Sequence, residues 1–258
     1  MSLKSNPVIV TLGKIAGSVG RFFLRPVFRM MVIACAVLGF GATVAVWFYV
    51  LSSTRELPSE SVLAEYNPEV TTRVHAGDGL LIAEFASEHR IYVPYEAIPE
   101  HVIWAFISAE DKSFFTHGGI DYFGMIRANL RNLRNYLAGA DVNLQGGSTI
   151  TQQVMKNFLL SGDRKAERKI KEIILATRLE ETLDKDRILE LYLNEIFLGQ
   201  NSYGVAAASQ TYFNKTLSEL APHEAAFLAS LPKAPSDYHP VRRAERLLAR
   251  RDFVLKEM

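Results

Sequence analysis

Residues 108 to 121 read SAEDKSFFTHGGID and place two adjacent carboxylates, Glu110 and Asp111, beside two phenylalanines and His117. A helix packed into a core rarely carries neighbouring charged groups next to bulky aromatic side chains, because acidic residues are seldom buried unless they are paired. A pair of glycines then breaks the helical pattern. The role of Glu110 therefore depends on the side chains that the rest of the chain brings to it.

A second stretch, residues 145 to 158, reads QGGSTITQQVMKNF and begins a helix after two glycines. Thr149 and Gln152 have the spacing of a capping box, which explains both residues structurally. Capping does not explain the opposite face of the helix, where hydrogen-bonding groups and one cation gather: Thr151, Gln152, Gln153, Lys156 and Asn157. The free N–H groups that begin a helix also suit an anion, so the stretch predicts either a capped structural helix or an anion site.

A third stretch, residues 164 to 172, reads RKAERKIKE and combines five cations with two glutamates on a predicted helix. The ordinary interpretation is a solvated face laced with salt bridges. Glu167 and Lys171 have the favourable order for such a pair, whereas Arg168 and Glu172 have the less favourable one. A polyanionic substrate such as a diphosphate would give the cations Arg168 and Lys169 another reason to cluster beside Glu172.

Two further patterns are interpreted structurally. Residues 186 to 204 predict an amphipathic helix of mostly core residues, in which Arg187, Glu190 and Asn194 could buttress a site. The sequence SLPK, residues 230 to 233, matches the Ser-x-x-Lys pattern of penicillin-reactive enzymes, but it ends an apolar helical run and has no KTG or SDN partner, so we interpret it as a chance match. The histidines lack metal-ligand spacing, and no metal site is predicted.

The elements that must position these residues begin with a membrane anchor. With 258 residues, 48% hydrophobic content and a net charge of +1, the chain is neither disordered nor collagenous and gives no argument for nucleic acid. Residues 30 to 51 are uncharged and long enough to cross a bilayer as a helix. The run is too long for the apolar region of a signal peptide, and no small-residue cleavage site follows it. We predict one uncleaved transmembrane helix.

Charge asymmetry orients this helix. Five basic residues precede it: Lys4, Lys14, Arg21, Arg25 and Arg29. The positive-inside rule therefore places the N-terminus in the cytoplasm and the rest of the chain on the other side. The only cysteine, Cys35, falls within the span, so the external part has no disulfide. A single-pass protein of the bacterial inner membrane fits this pattern.

The chain then divides into a cytoplasmic basic segment (1–29), the transmembrane helix (30–51), a connector with a small β element (52–97) and a mainly α domain (98–258). VTTRV and LLIAEF flank the turn signal HAGDG and predict a hairpin, to which RIYVPY could add a third strand. Helical periodicity begins near Ile98. Residues 125 to 137 form a basic amphipathic helix whose apolar stripe either contacts lipid or belongs to an ordinary solvated helix.

Taken together, EDKSFFTHGG, GGSTITQQVMKN, RKIKE and RILELYLNEIFLG resemble, in this order and spacing, the family 51 glycosyltransferases that polymerise peptidoglycan. The resemblance extends from about residue 70 to about residue 240. It implies a mainly α, lysozyme-like domain with a cleft between two lobes, the lower of which dips into the membrane. The chain would be either a monofunctional polymerase or a fragment of a longer class A penicillin-binding protein, and the helical pattern of residues 242 to 258 favours the fragment.

The resemblance also implies roles for single residues. Glu110 would be the catalytic base and Glu172 the second catalytic glutamate, near the diphosphate with Arg168 and Lys169. The substrate-binding residues would be Asp111, His117, Gly147, Ser148, Thr149, Gln152, Lys156, Asn157, Arg168 and Lys169. Of these, Asp111 and His117 would act mainly by holding their loop. Phe114 and Phe115, by limiting water, would raise the pKa of Glu110.

The implied reaction is inverting transfer, in which the growing lipid-linked glycan is joined to lipid II with release of undecaprenyl diphosphate. A divalent cation such as Mg²⁺ could accompany the diphosphate, although the sequence offers no dedicated cage for it. The implied partners are lipid II, the growing glycan, the membrane and other cell-wall synthesis proteins. Two alternatives stay open: a lytic transglycosylase that cleaves peptidoglycan, and an inactive membrane-anchored scaffold.

Overall fold

A computed structural model describes residues 26–54, 72–85, 89–139, 146–159, 165–233, 238 and 240–258. The chain divides into two units, Met1–Glu56 and Leu57–Met258. Within the described residues, the first unit holds one long helix and the second holds the strands and the other helices. Residues 1–25 of the predicted cytoplasmic segment and 55–71 of the predicted connector lie outside the described residues.

The long helix of the first unit, α1, spans Pro26–Thr54 and contains the whole predicted span. Among the described residues it is the one helix long and apolar enough to cross a membrane, and none of its most apolar window, Phe28–Tyr49, is buried. An exposed apolar surface of this size needs an apolar environment. The predicted apolar helix is confirmed, whereas its passage through a membrane and its orientation stay predictions.

The second unit begins with the predicted hairpin, which is confirmed. Strand β1 (Thr72–His75) pairs antiparallel with β2 (Leu81–Phe85), and the register shifts between Val74 and His75. The turn between them contains Gly79 at φ +86°, a conformation that glycine adopts without steric cost.

The predicted third strand is shorter than expected and pairs elsewhere. Strand β3 comprises only His89–Arg90, and it runs parallel to β4 (Ser202–Tyr203) rather than extending the hairpin. Val93 cannot continue the strand, because both its backbone N–H and its carbonyl bond the side chain of Asn194, at 2.8 and 2.9 Å. The expectation that residues 90 to 95 complete a small sheet was therefore wrong.

The remainder of the unit is the helical domain, residues 98–258, and the prediction of a mainly α fold is confirmed. Its helices are α2 (Glu100–Glu110), α3 (Tyr122–Leu137), α4 (Ile150–Leu159), α5 (Lys165–Thr182), α6 (Lys185–Glu195), α7 (Val205–Phe213), α8 (Pro222–Leu228) and α9 (Ala244–Glu257). The implied likeness to lysozyme and the two lobes stay predictions.

The core of this domain lies where α4 and α6 meet and where α2 packs against α8 and α9. Phe106 and Tyr192 are both buried there, and their rings meet edge to face with centroids 6.2 Å apart. Burial of an apolar side chain such as that of Phe106 contributes about 1.5–3 kcal/mol to folding. The packing fixes the C-terminal end of α2, which carries Glu110.

Candidate active site

A cleft of about 390 Å³ opens in the helical domain where the end of α2, the start of α3, the segment before α4 and helix α9 converge. The predicted site residues that line it are Glu110, Asp111, Gly147, Ser148, Thr149, Gln152, Lys156 and Glu172. His117, Asn157, Arg168 and Lys169 are not among its lining residues. All but four of the predicted site residues therefore line one cavity. Of those four, Lys169 contacts three residues of the lining.

Glu110 is the last residue of α2, and only 13% of its side chain is exposed. Gln153 of α4 donates a hydrogen bond of 3.0 Å to its Oε2, and Arg250 Nη2 lies 3.8 Å from Oε1. Burial raises the pKa of Glu110 above its ordinary value, and the Gln153 hydrogen bond and the charges of Arg250 and Lys233 oppose this rise. Such an environment brings a carboxylate towards the working range of a general base.

The expected direction of this pKa change is right, but the expected cause is only partly so. Neither Phe114 nor Phe115 lines the cleft. Phe114 is fully buried in the core, whereas Phe115 is 44% exposed. The two rings therefore do not form a wall between Glu110 and water, and the burial of Glu110 comes from the surrounding helices.

Asp111 fastens α2 to α4. Its Oδ2 accepts a hydrogen bond of 3.0 Å from the N–H of Ile150, the first residue of α4, and lies 2.9 Å from Nε2 of His117. Only 3% of the Asp111 side chain is exposed. Because these contacts use the same carboxylate oxygen, Asp111 and His117 together hold the loop between α2 and α3 against α4. This arrangement agrees with the loop-holding function expected for both residues.

The start of α4 carries the predicted capping box. The Thr149 hydroxyl accepts from the N–H of Gln152 at 3.2 Å, and the Gln152 side chain accepts from the N–H of Thr149 at 3.4 Å. Since Asp111 accepts from the N–H of Ile150, these N–H groups are already bonded within the chain. The N–H groups of Thr149, Ile150 and Gln152 are therefore not free for an anion. Whether this helix terminus binds one stays a prediction, which nearby side chains support.

Such side chains form a cluster beside α4. Lys169 of α5 donates to Ser148 Oγ at 2.8 Å, to Gln152 Oε1 at 3.1 Å and to Glu172 Oε2 at 3.1 Å. Arg168 Nε lies 3.2 Å from the other oxygen of Glu172. Within the described part of the chain, the buried Nε2 of Gln152 has no partner. The cluster thus joins two cations and an unused amide donor, which are groups that bind phosphate oxygens.

Two glycines let the backbone approach closely around this cluster. A Cβ atom at Gly119, where φ is +88°, would lie 2.6 Å from the carbonyl oxygen of Ala176 in α5. A Cβ atom at Gly147 would lie 3.3 Å from Cα of Met125 in α3. The loop before α3 therefore needs glycine in order to pack against α5, and the segment before α4 packs closely against α3 at Gly147.

Lys156 and Asn157 differ in position, although both were predicted on the polar face of α4. Lys156 is exposed and lines the cleft, so its ammonium group can move towards a ligand. Asn157 is exposed and lies outside the lining. The structure therefore brings Lys156, but not Asn157, to the site.

Sequence reasoning missed two cations of the cleft, Lys233 and Arg250. Lys233 follows α8, and partial desolvation together with the nearby charge of Arg250 lowers its pKa, against the opposing effect of Glu110. Arg250 lies on α9 and donates to the carbonyl of Ala109 at 2.7 Å. Both belong to stretches whose helical pattern was recognised, but no local signal connects them with Glu110.

Lys233 ends the SLPK stretch, but Ser230 does not act as its partner. The Ser230 side chain is fully buried and donates to the carbonyl of Ala226 at 2.8 Å, one helical turn back. A serine bound in this way is not presented to a substrate. The interpretation of Ser-x-x-Lys as a chance match agrees with this geometry.

Helix α6 holds the segment before α2, through the residues predicted to buttress the site. Glu190 accepts from the hydroxyl of Tyr92 at 2.9 Å and from the N–H of Tyr95 at 2.7 Å, and it pairs with Arg187. Asn194 bonds both backbone groups of Val93. These bonds fix the segment that leads into α2 and so fix the direction in which α2 delivers Glu110.

Comparisons with known proteins identify the family of the chain. Residues 78–258 match a family model described as transglycosylase. Penicillin-binding protein 1A of Rickettsia felis is 46% identical over 237 residues, which cover 92% of this chain and 29% of that protein. Penicillin-binding protein 1A of Rickettsia conorii is 50% identical, and the match covers 80% of this chain and 26% of that protein. The protein of the same name from Escherichia coli is 42% identical, and the match covers 90% of this chain and 26% of that protein.

The chain spans between 26% and 29% of the length of these relatives. In a crystal structure of penicillin-binding protein 1A from Haemophilus influenzae, the chain is 28% identical to this one, and the match covers 75% of this chain and 18% of that chain. Its TM-score of 0.37 is too low to support an argument about the fold. The family match covers most of the chain and includes every residue of the cleft. The chain belongs to the transglycosylase family, the family 51 glycosyltransferases that its four motifs resemble.

Proposed function

We propose that this chain polymerises peptidoglycan glycan strands from lipid II. In the proposed reaction the 4-hydroxyl of the lipid II GlcNAc attacks the anomeric carbon of the growing chain. The bond between that carbon and the diphosphate oxygen breaks, the hydroxyl proton passes to Glu110, and undecaprenyl diphosphate leaves with the bonding electrons. The observation that carries this proposal is that one cleft is lined both by the largely buried carboxylate of Glu110 and by Glu172, which accepts a hydrogen bond from the cation Lys169.

The proposed base is Glu110. A sugar hydroxyl is a weak nucleophile near neutral pH, and a positioned base that removes its proton contributes roughly 10² to 10⁴ in rate. The raised pKa of Glu110 makes it a stronger base than an exposed glutamate, and the hydrogen bond from Gln153 fixes the orientation of one carboxylate oxygen. These properties support Glu110 rather than Asp111, whose Oδ2 is occupied by Ile150 and His117.

The proposed diphosphate site is the cluster around Lys169. Negative charge develops on the leaving diphosphate as the glycosidic bond breaks, and fixed cations and donors stabilise such charge in the transition state. Lys169 is held by Ser148, Gln152 and Glu172, so its position costs little reorganisation when the substrate arrives. In this proposal Glu172 acts by holding Lys169 and Arg168, and Lys156 adds a mobile cation.

A divalent cation such as Mg²⁺ stays part of the proposal only as a companion of the diphosphate. Within the described ranges, no group of three or more His, Cys, Asp or Glu side chains could hold a metal ion. Magnesium commonly binds through substrate phosphates and water with one or two carboxylates. Any such ion would therefore be held mainly by the substrate, near Glu172.

The proposed location is the bacterial inner membrane, with the N-terminus in the cytoplasm and α1 as the anchor. The helical domain has its own apolar surface on α3, where the exposed apolar side chains are Phe123, Ile126, Leu130, Leu133 and Leu137. A basic amphipathic helix with such a face binds at a lipid interface. This location supports the proposed reaction, because both proposed substrates carry a lipid.

The test is to incubate the detergent-solubilised chain with labelled lipid II and to separate the products. Glycan polymer together with released undecaprenyl diphosphate is the expected result. Cleavage of preformed glycan without polymer would favour the lytic transglycosylase instead. Neither activity, from a chain shown to be folded, would favour the scaffold and overturn the proposal.

A further inference from the structure

We propose that Arg250 is the positioning residue of Glu110, holding the end of α2 with one hydrogen bond while its cation faces the carboxylate. The expected effect of Arg250 on the reaction rate rests on the proposed function. The contacts of Arg250 and its effect on the protonation of Glu110 do not depend on that function. Arg250 lies 140 residues after Glu110 in the sequence, so α9 must be docked before Glu110 acquires this neighbour.

The first support is the contact with α2. Arg250 Nη2 donates to the carbonyl of Ala109 at 2.7 Å. The last carbonyls of a helix have no partner within the helix, and a cationic donor there also interacts favourably with the helix dipole. Arg250 thus caps the C-terminal turn that ends at Glu110, and the same Nη2 atom lies 3.8 Å from Glu110 Oε1.

The second support is the rigidity of the guanidinium group. Only 16% of the Arg250 side chain is exposed, and its Cζ lies 5.1 Å from the centroid of the Phe253 ring. Helix α9 is anchored on either side of it by the buried Leu247 and Val254 and by an ion pair between Lys112 and Glu257. The Arg250 cation is therefore held in one place rather than free to follow solvent.

The third support is the balance of groups around the carboxylate. Glu110 faces Gln153 from α4, Arg250 from α9, Lys233 from the segment after α8 and Asp111 from its own side, and the buried Tyr192 of α6 lies within the reach of its charge. Burial and Asp111 favour the protonated form, whereas Gln153 and the two cations favour the ionised form. Of the two cations, Arg250 exerts the larger effect on the pKa of Glu110.

The first test measures the protonation of Glu110 without relying on activity. The full chain in detergent is labelled with carboxyl carbon-13 glutamate, and the Glu110 signal is assigned by its loss in Glu110→Gln. In Arg250→Gln, the titration midpoint of this signal should move upward by about one pH unit, as expected for the loss of an opposite charge within about 4–6 Å. The matched control is Arg251→Gln, because Arg251 pairs with Asp252 and should leave the midpoint unchanged.

The Arg250→Lys variant keeps the test valid if Arg250→Gln does not fold. Lysine retains the charge but reaches less far than arginine, and it cannot present two parallel donors. Its midpoint should therefore move upward by less than that of the glutamine variant. An unchanged or lowered Glu110 midpoint in whichever Arg250 variant folds would overturn the proposal.

The second test uses the pH dependence of lipid II polymerisation. A base must be ionised, so a higher pKa moves the acid limb of the pH profile to higher pH. Arg250→Gln should lose about tenfold in rate on the acid limb for a midpoint shift of one unit, and should recover part of that loss at alkaline pH. An equal loss at every pH would indicate a merely structural role and would overturn the proposal.

The two tests separate failure of the inference from failure of the proposed function. If the wild-type chain makes no polymer but the Glu110 midpoint moves in Arg250→Gln, Arg250 still controls Glu110 and the proposed function is wrong. If polymer forms and neither the midpoint nor the acid limb moves, the proposed function stands and the inference is wrong.

Discussion

The helical domain contains two buried polar clusters that differ in how completely their hydrogen bonds are satisfied. Outside the lining of the cleft, Asn194 is 3% exposed and uses both ends of its amide on Val93. In the cleft, Gln152 is fully buried, and its Nε2 has no partner among the described residues. Buried polar groups in proteins are nearly always paired, so an unpaired donor calls for an explanation.

The difference distinguishes polar groups that stabilise the fold from polar groups that are available to bind a ligand. A polar group whose hydrogen bonds are all made, such as the Asn194 amide, stabilises one backbone arrangement and has nothing left with which to bind a ligand. The cleft instead has an unused amide on Gln152, an unused Nε on Arg250 and a carboxylate with a raised pKa on Glu110. Buried polar groups without hydrogen-bond partners are expected mainly at functional or strained sites. Four substitutions that affect stability test this contrast.

The largest effect on stability is expected for Asn194→Ala in the supporting cluster. The substitution removes the bonds to Val93 and leaves two backbone groups without partners, each costing about 1–3 kcal/mol, so we expect a loss of about 2–6 kcal/mol. Urea unfolding measures it, with the exposed Asn157→Ala as the control, expected within about 0.5 kcal/mol of wild type. A loss below about 1 kcal/mol for Asn194→Ala would show that α6 does not buttress the fold.

The next largest effect is expected for Gly119→Ala, where the loop before α3 touches α5. The new Cβ would lie 2.6 Å from the Ala176 carbonyl at a φ of +88°, and strain of this kind costs about 1–3 kcal/mol. Gly118→Ala is the matched control, since nothing lies within 4 Å of a Cβ at that position. Equal unfolding free energies for the two variants would contradict the packing described for this loop.

A smaller effect, of opposite sign, is expected for Glu110→Gln. Because burial raises the pKa of Glu110, its ionised form destabilises the folded chain, and this cost appears as the pH rises through the folded pKa. The glutamine variant should therefore match wild type in acid and become more stable than wild type at higher pH, within the range of about 0.5–2 kcal/mol typical of stabilising substitutions. Thermal unfolding across pH measures the difference, and a pH-independent difference would exclude this origin.

The smallest effect is expected for Asp252→Ala on the surface of α9. Asp252 is 62% exposed and pairs with Arg251 at 2.7 Å, and exposed ion pairs contribute about 0–1 kcal/mol. We expect a change below about 0.5 kcal/mol in the free energy of unfolding and no change in polymerisation. A larger change in either quantity would mean that α9 is more sensitive to surface charge than the account allows.

Local patterns predicted much of the fold. Alternating apolar residues around HAGDG indicated the hairpin, and periodicity with caps indicated the helices, because both signals lie within a few residues of each other. The pairing of β3 with β4 could not be predicted in this way. Each strand has two residues, and their partners, such as Arg90 and Tyr203, lie far apart in the sequence.

The same distinction applies to the site. The motifs that contain Glu110, Thr149 and Lys169 were recognisable because each is a short segment with residue types that folding alone explains poorly. The contribution of Arg250 depends on how α9 docks against α2, which no local pattern records. The hydrogen bond from the Ile150 N–H to Asp111 is likewise a tertiary contact, and it occupies one N–H group that the sequence pattern leaves free.

The measurement that tests the central claim most directly is the rate of lipid II polymerisation by wild type and Glu110→Gln, at equal amounts of folded protein. The account predicts a rate lower by roughly 10² to 10⁴ in the variant, the contribution of a general base, with lipid II binding retained. Turnover of the variant at the wild-type rate would contradict the claim that Glu110 is the base and that the cleft around it is the catalytic site.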